Sequence, residues 1–106
     1  MKRAGYVCFI FVSDQYLLEM NLKYLKHDTL TDVITFDYSE GDVVSGDIFI
    51  SVQRVKENAA TFAVNFNEEL HRVMIHGVLH LIGFGDKSKT ESDVMRGKED
   101  FYLARL

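Results

Sequence analysis

The sequence predicts an α+β domain in which a small sheet packs against helices. Short β-branched and aromatic runs fill the first half of the chain, segments with helical apolar spacing alternate with them, and two consecutive helical segments end it. These observations predict about three to four strands and about four helices. A chain of 106 residues supports one hydrophobic core, so residues 1–106 are expected to form a single domain.

The predicted strands are residues 6–12 (YVCFIFV), residues 31–38 (TDVITFDY), and a segment that begins near Val43 and ends at residues 47–51 (DIFIS). β-branched and aromatic residues dominate all three, as is typical of strands. Residues 40–42 (EGD) have the composition of a turn, so they should connect the second strand to the third.

Each of the first three predicted helices follows a residue that can cap a helix N-terminus, namely Ser13, Ser51 or Asn65. The third helix covers about residues 67–81, and Gly83 is its expected left-handed stop. The last helix covers residues 90–103. The positions expected to face the core are Leu17, Leu18, Leu22 and Leu25 in the first helix, Val52, Val55 and Ala59 in the second, and Val94, Met95 and Phe101 in the last.

Composition excludes several classes of protein. The net charge of −4 argues against a protein that coats nucleic acid by bulk electrostatics, although a local basic groove is compatible with it. No run approaches the roughly 20 apolar residues of a membrane span. The single cysteine, Cys8, cannot form an internal disulfide, so a reducing, cytoplasmic location is expected.

The segment HGVLHLIGFGD, residues 76–86, carries the strongest chemical signal. Residues four apart on a helix share one face, so His76 and His80 can bind the same metal ion. The glycines at 83 and 85 allow a sharp reversal that can return Asp86 to that ion. Three protein ligands leave a position for water, as in catalytic zinc sites. A structural role for the two histidines is the alternative.

Two neighbours of His76 refine this prediction. A metalloprotease helix of H-E-x-x-H type requires glutamate after the first histidine, and Gly77 stands there, which disfavours a peptidase. Arg72 lies one turn before His76 on the same stripe, so its guanidinium could reach a phosphate beside the metal. A solvated arginine with a packed stem is the alternative for Arg72.

Taken together, these segments resemble the YbeY family of bacterial metal-dependent endoribonucleases. The family signature H-G-x-L-H-L-x-G-[YF]-D-H is similar to residues 76–86. Other family segments also have counterparts, in the family's order: N-x-x-Y-R at residues 21–25, T-D-V-L-S-F at 31–36, G-D-I-x-I-S at 46–51, and the spaced methionine and glutamate of the last helix at Met95 and Glu99.

The resemblance implies a single-strand-specific endoribonuclease that takes part in rRNA maturation, at the 3′ end of 16S rRNA, and in ribosome quality control. It implies RNA and the small ribosomal subunit as partners, and zinc held by three histidines. Here Asp86 stands where the family has its third histidine. Aspartate also binds zinc, so we expect a site of His76, His80 and Asp86, and a two-histidine, one-carboxylate set also suits Fe(II).

The family's RNA-cleaving arginine corresponds to Leu25, so we expect Arg72 or Lys26 to supply the missing cation. Lys87 and Lys89 follow the third ligand and are candidates for contact with the RNA backbone. For both, a solvated lysine is the default interpretation.

Asp32 and Asp47 are candidates for hydrogen bonding to a ligand histidine, although each could instead have a local structural role.

The family usually has a further strand and helix before the segment at Tyr6, and the sequence shows neither. An exposed sheet edge would then favour self-association. Two alternatives to the nuclease remain: a ribosome-associated protein that binds metal without catalysis, and a metallohydrolase of another substrate such as a peptide.

Overall fold

The computed structural model describes residues 3–25 and 31–106. In chain order the elements are β1 (Arg3–Val12), α1 (Asp14–Met20), a π-helical turn (Asn21–Leu25), β2 (Val33–Asp37), β3 (Val43–Ser51), α2 (Val52–Thr61), α3 (Phe66–Leu81) and α4 (Lys89–Leu103). The predicted α+β class is confirmed, with three strands and four α-helices in the described part of the chain.

The sheet has the order β1-β3-β2, with β3 in the centre. β1 runs parallel to β3, whereas β2 runs antiparallel to it. The predicted turn connects β2 to β3, and Gly41 adopts a φ of +59°, which glycine tolerates best. The backbones of Glu40 and Val43 bond to each other in both directions, at 3.0 and 2.9 Å, and close this turn.

Alternation along β3 separates two packed layers. Ile48 and Ile50 are fully buried in a core cluster on the face that meets α3. Phe49, between them, points to the opposite face and packs against a second cluster formed by Leu17 and Met20 of α1 with Ile34 of β2. The sheet therefore lies between α1 and α3, and α3 is the helix that carries the predicted ligands.

The predicted helix caps are confirmed. The side chains of Ser13, Ser51 and Asn65 accept hydrogen bonds from the backbone N–H three residues on, at 3.1, 3.1 and 2.7 Å. α4 begins at Lys89, one residue earlier than predicted, because Ser88 forms a capping box with Glu91.

Four residues predicted to face the core are instead exposed. Val94 and Phe101 are about half exposed because α4 packs through Met95 and Glu99, which are four residues apart and define a different stripe. Leu22 is also exposed, since the π-helical turn moves it off the face that Leu17 occupies. The fourth is Val52, in the first turn of α2. The side chain of Leu25 lies outside the described part of the chain.

Among the described residues, no helix combines the length and the apolar character that crossing a membrane requires.

Candidate metal centre

α3 lies close to the sheet because residue 77 has no side chain. A Cβ atom added at Gly77 would lie 2.8 Å from Cγ2 of Ile48, which is closer than real Cβ contacts. Gly77 therefore lets the backbone of α3 approach β3 at the position between the two histidines. The helix buries this face, and His76 and His80 project from its flank with side-chain exposures of 23% and 29%.

The loop after α3 returns the chain toward the same flank. α3 ends in a Schellman motif: Phe84 N–H donates to the Leu79 carbonyl at 3.0 Å, and Gly83 N–H donates to that of His80 at 3.1 Å. Gly83 has the left-handed φ of +110° that this motif uses. Asp86 then stands between this stop and the start of α4.

Three ligand atoms converge at this point. Nε2 of His76 lies 2.9 Å from Nε2 of His80, and Oδ2 of Asp86 lies 3.4 Å from each nitrogen. Atoms that bind one tetrahedral zinc at 2.0–2.1 Å are about 3.3 Å apart. The donor set and its spacing therefore fit a divalent metal ion, and these three residues form the group in the described chain that could hold one.

Glu99 of α4 holds the ring of His76 from the other side. Its Oε2 lies 2.7 Å from Nδ1 of His76, and its side chain is only 6% exposed. Because an ionised carboxylate can only accept, Nδ1 carries the proton and Nε2 of a neutral ring keeps its lone pair for a metal. The sequence reasoning did not assign Glu99 this role, although its place in the family pattern marked it.

Glu99 and His76 each shift the pKa of the other. Burial by itself would raise the pKa of the Glu99 carboxyl, but hydrogen bonds from His76 and Arg72 outweigh burial and hold its pKa below the usual value. Burial by itself would lower the pKa of His76, and its contact with Glu99 reverses that effect, so the pKa of the imidazole is raised. Both effects favour an ionised Glu99.

Arg72 lies beside this site, but carboxylates occupy its guanidinium. One terminal nitrogen lies 3.0 Å from Glu99 and the other 2.6 Å from Asp100, and the side chain is 16% exposed. Arg72 thus helps to hold Glu99 against His76, and its guanidinium is less free to bind a phosphate than the sequence suggested. Lys26, the other predicted cation, lies outside the described residues.

The two predicted aspartate partners are found in different places. Asp32 lines a cavity together with His76 and Glu99, and its carboxylate accepts a hydrogen bond from the Asn58 amide at 3.4 Å. Burial raises the pKa of Asp32, which its own backbone N–H and the charge of His76 only partly offset. Asp32 therefore faces the site without hydrogen bonding to a ligand histidine.

Asp47 is not brought to the site. It is the β3 residue opposite Phe36, and it lies on the α1 face of the sheet, whereas the neighbouring Ile48 meets Gly77 of α3. The Asp47 carboxylate interacts with Tyr38, whose pKa is raised by burial and by this contact. The predicted role of Asp47 beside a ligand histidine was wrong, because strand alternation turns it to the far side.

Lys87 and Lys89 are exposed and follow Asp86, as expected. Lys89 pairs with Asp93 at 3.2 Å, with both side chains in solvent. Such a pair is weak, so the lysine can exchange its partner readily.

Comparisons with known proteins identify the family of this chain. The family model described as endoribonuclease YbeY matches residues 2–106. An endoribonuclease YbeY of Flavobacterium psychrophilum is 61% identical over 99 residues, which are 93% of this chain and 71% of that protein. Another, of Parabacteroides distasonis, is 51% identical over 105 residues, which are 99% of this chain and 74% of that protein.

Among solved structures, the solution structure of TM1509 from Thermotoga maritima is similar, with 40% identity and a TM-score of 0.66. The similarity covers 92% of this chain and 65% of that chain. This chain therefore spans about two thirds to three quarters of the length of these relatives. From the family match and these identities, the chain belongs to the endoribonuclease YbeY family.

Proposed function

We propose that this protein is a metal-dependent endoribonuclease whose metal ion is held by His76, His80 and Asp86. The observation that carries the proposal is the convergence of three ligand atoms at 2.9, 3.4 and 3.4 Å, in a chain of an endoribonuclease family. When bound, a divalent ion supplies Lewis acidity, which polarises a phosphoryl oxygen and makes water a stronger nucleophile.

The donor set allows zinc and Fe(II). Zinc accepts two imidazoles and one carboxylate, and two histidines with one carboxylate are also the facial set of non-haem Fe(II) sites. We propose zinc as the resident ion because both nitrogen ligands and the distances suit tetrahedral coordination. The carboxylate of Asp86 reduces the net charge of the site relative to three neutral imidazoles, so the ion would be a weaker Lewis acid.

The protein must also stabilise charge on the phosphodiester as it is cleaved. We propose Arg96 for this role. It lines the same cavity as His76 and Asp86, it is exposed, and in the described part of the chain it has no carboxylate within ion-pair distance. A guanidinium without a protein partner can bind two phosphate oxygens at once. Arg72, with both terminal nitrogens in ion pairs, is better suited to positioning His76 through Glu99.

We propose that the substrate is single-stranded RNA of the rRNA precursor, at the 3′ end of the 16S segment, and that the protein acts at the small ribosomal subunit in the cytoplasm. Lys87 and Lys89 would contact the RNA backbone next to the metal, since both are exposed directly after Asp86. Self-association is a further expectation, because among the described residues β1 pairs with β3 on one side only and leaves Tyr6 and Phe11 exposed at the sheet edge.

Two alternatives are less well supported. A metal-binding protein without catalysis would lack a free cation near the metal, whereas Arg96 lines that cavity. A peptidase would require a general base at residue 77, and Gly77 is packed against Ile48 with no room for a side chain.

The test combines metal content with cleavage. Wild type, Asp86→Ala and the exposed-aspartate control Asp93→Ala are purified without chelator and measured by elemental analysis and by cleavage of a labelled single-stranded RNA. We expect about one zinc per chain and cleavage in wild type and the control, with both lost in Asp86→Ala. Metal retained by Asp86→Ala would rule out the third ligand, and metal-loaded wild type that leaves RNA intact would favour the non-catalytic alternative.

A further inference from the structure

A cavity of about 300 Å³ opens beside the ligand cluster. Helices α2, α3 and α4 contribute its walls, and His76 and Asp86 form the end that it shares with the metal centre. Its apolar lining consists of Val33, Val73, Met95 and, 56% exposed, the ring of Phe62. A flat organic group could therefore enter the cavity and meet both an apolar surface and an accessible aromatic ring.

Glu69 is the unexplained residue of this cavity. It is 95% buried, since its exposure is 5%, and it lines the cavity from the first turn of α3. In the described part of the chain its carboxylate has no hydrogen-bond or ion-pair partner. Its oxygens are not fully enclosed, so a ligand in the cavity could reach them. A buried acceptor with no protein donor is costly, so a ligand that brings N–H donors would be favoured here.

Two further polar groups line the same cavity. The carboxyl of Asp32 and the side-chain amide of Asn58 meet at 3.4 Å. Burial raises the pKa of Glu69, the nearby carboxylates of Asp32 and Glu99 raise it further, and two nearby arginines partly offset these effects. Burial and Glu99 also raise the pKa of Asp32. Asp32 and Glu69 themselves disfavour a phosphate and attract N–H donors, so the phosphate is left to Arg96 of the same cavity.

A second metal ion is a poor occupant. Among the described residues, the group with ligand atoms close enough to share an ion is His76, His80 and Asp86, and neither Glu69 nor Asp32 belongs to it. What remains is a neutral, planar ligand that donates hydrogen bonds at its edge and stacks through its faces. In an RNA strand, this description fits a nucleobase.

We propose that this cavity binds a base of the RNA beside the scissile phosphate and selects bases whose Watson–Crick edge carries an amino group. Guanine presents parallel N–H donors to the two oxygens of one carboxylate, and cytosine and adenine each present an amino group. Uracil has no amino group, and the two carbonyl oxygens that flank its single N3–H would repel a carboxylate. Phe62 stacks on the ring. The inference deepens the proposed function, because it assumes that the strand lies across the metal centre.

The position of Glu69 along α3 agrees with this arrangement. Glu69 and His76 are seven residues apart on one stripe of the helix, a rise of about 10 Å. Neighbouring parts of one strand could thus place a phosphate at the metal and a base at Glu69.

The experiment uses metal-loaded full-length protein and fluorescent oligouridylate strands that carry one central guanosine, cytidine, adenosine or uridine. Binding is measured by anisotropy with a 2′-deoxy strand, and cleavage is mapped on the ribose strand. The variants are Glu69→Gln and the control Glu68→Gln, which removes the same charge from the neighbouring, exposed position of α3. Elemental analysis verifies that each variant retains its metal.

In wild type and in Glu68→Gln, we expect strands with an amino-bearing base to bind and to be cut beside that base about tenfold better than the all-uridine strand. In Glu69→Gln, the preference should fall to about twofold or less. Equal binding and cleavage of the four strands by wild type, or an unchanged base preference in Glu69→Gln, would overturn the proposed base pocket. Base-selective binding without cleavage would support the pocket and contradict the proposed function, whereas cleavage without base preference would do the reverse.

Discussion

Oε2 of Glu99 lies 2.7 Å from Nδ1 of His76, and this contact connects α4 to the candidate metal centre on α3. The other oxygen of the same carboxylate lies 3.0 Å from Arg72, so one buried side chain is held by two donors. Glu99 is only 4% exposed, so its orientation is fixed by packing as well as by hydrogen bonds. Glu99 therefore sets both the rotamer and the tautomer of His76.

Removing this carboxylate should weaken metal binding without touching a ligand. We expect Glu99→Ala to lower zinc affinity by about 10- to 100-fold, the range found for partners of ligand histidines, and Glu99→Gln to have a smaller effect because its amide oxygen can still accept from Nδ1. Competition with a chromophoric chelator measures the affinity.

The control for Glu99 is Asp100→Asn. Asp100 also pairs with Arg72, at 2.6 Å, but has no contact with His76 in the described structure. Its zinc affinity should remain within about twofold of wild type. Equal losses in Asp100→Asn and Glu99→Ala would mean that the Arg72 ion pairs, and not the bond to His76, support the site.

Arg96 and Arg72 should differ in what they contribute. Arg96→Ala should lower kcat/KM for RNA cleavage by about 100-fold, as the loss of one transition-state donor does, with little change in stability. Arg72→Ala should lower the free energy of unfolding by about 2 kcal/mol, because the buried Glu99 then loses its guanidinium partner and keeps only the hydrogen bond from His76. Cleavage assays and urea denaturation of both variants provide the measurements. Unchanged cleavage by Arg96→Ala would mean that another cation, such as Lys26, stabilises the charge on the phosphodiester.

The convergence of the three candidate ligands could be predicted from sequence because it depends on local geometry. Histidines four apart on a helix and a glycine-assisted reversal determine His76, His80 and Asp86 within one short segment. Glu99 and Arg96 depend instead on how α4 packs against α3, which a single sequence does not specify. Asp47 was misplaced for a related reason, since the orientation of β3 relative to the helices decides which of its faces meets α3.

The fold shows the same division. The caps at Ser13, Ser51 and Asn65 were predictable, because a short polar side chain before an apolar repeat acts on its own helix. The inward face of α4 was not, since Val94 and Phe101 are apolar yet exposed, whereas the charged Glu99 is buried. Glu99 can be buried because it pairs with Arg72 and His76 of α3. Hydrophobic periodicity in the sequence does not reveal such partners.

Two helical glycines offer a matched comparison of packing. Alanine at either position gains about 1 kcal/mol of helix propensity. At Gly77 the new Cβ would lie 2.8 Å from a buried methyl of Ile48, and overpacking of this kind costs about 1–3 kcal/mol, so Gly77→Ala should be destabilising by about 1 kcal/mol net. At Gly97 nothing lies within 4 Å of that position, so Gly97→Ala should stabilise the protein by about 0.5–1 kcal/mol.

Urea denaturation of the two glycine variants decides the sign of each effect. Zinc affinity adds a second measurement, because Gly77 lies between the two ligand histidines. A displaced α3 should weaken binding in Gly77→Ala and leave it unchanged in Gly97→Ala. Stabilisation of both variants would show that Ile48 can move aside at little cost.

The last prediction concerns pH and the cluster of Asp14, Ser51 and Arg54. Asp14 accepts a hydrogen bond from the buried Ser51 hydroxyl at 2.6 Å and pairs with Arg54 at 2.8 Å. Burial by itself would raise the pKa of Asp14, but these two partners outweigh it and lower the pKa below its ordinary value. The folded protein therefore favours the ionised form, so this contribution to stability is present above about pH 4, the ordinary pKa, and is lost as the pH falls toward the folded pKa.

Asp14→Asn should consequently reduce the free energy of unfolding at pH 7 by about 1 kcal/mol, a value that allows for the partial exposure of the ion pair. The difference from wild type should shrink as the pH falls below about 4, where the carboxyl of the unfolded wild type becomes neutral, and should vanish below the lowered pKa of the folded protein. Asp42→Asn is the control, because the pair of Asp42 with Arg3 is largely in solvent and should contribute little at any pH. Urea denaturation at pH 7, 5 and 3 measures all three proteins, and a gap for Asp14→Asn that stays constant to pH 3 would mean that its effect comes from packing and not from charge.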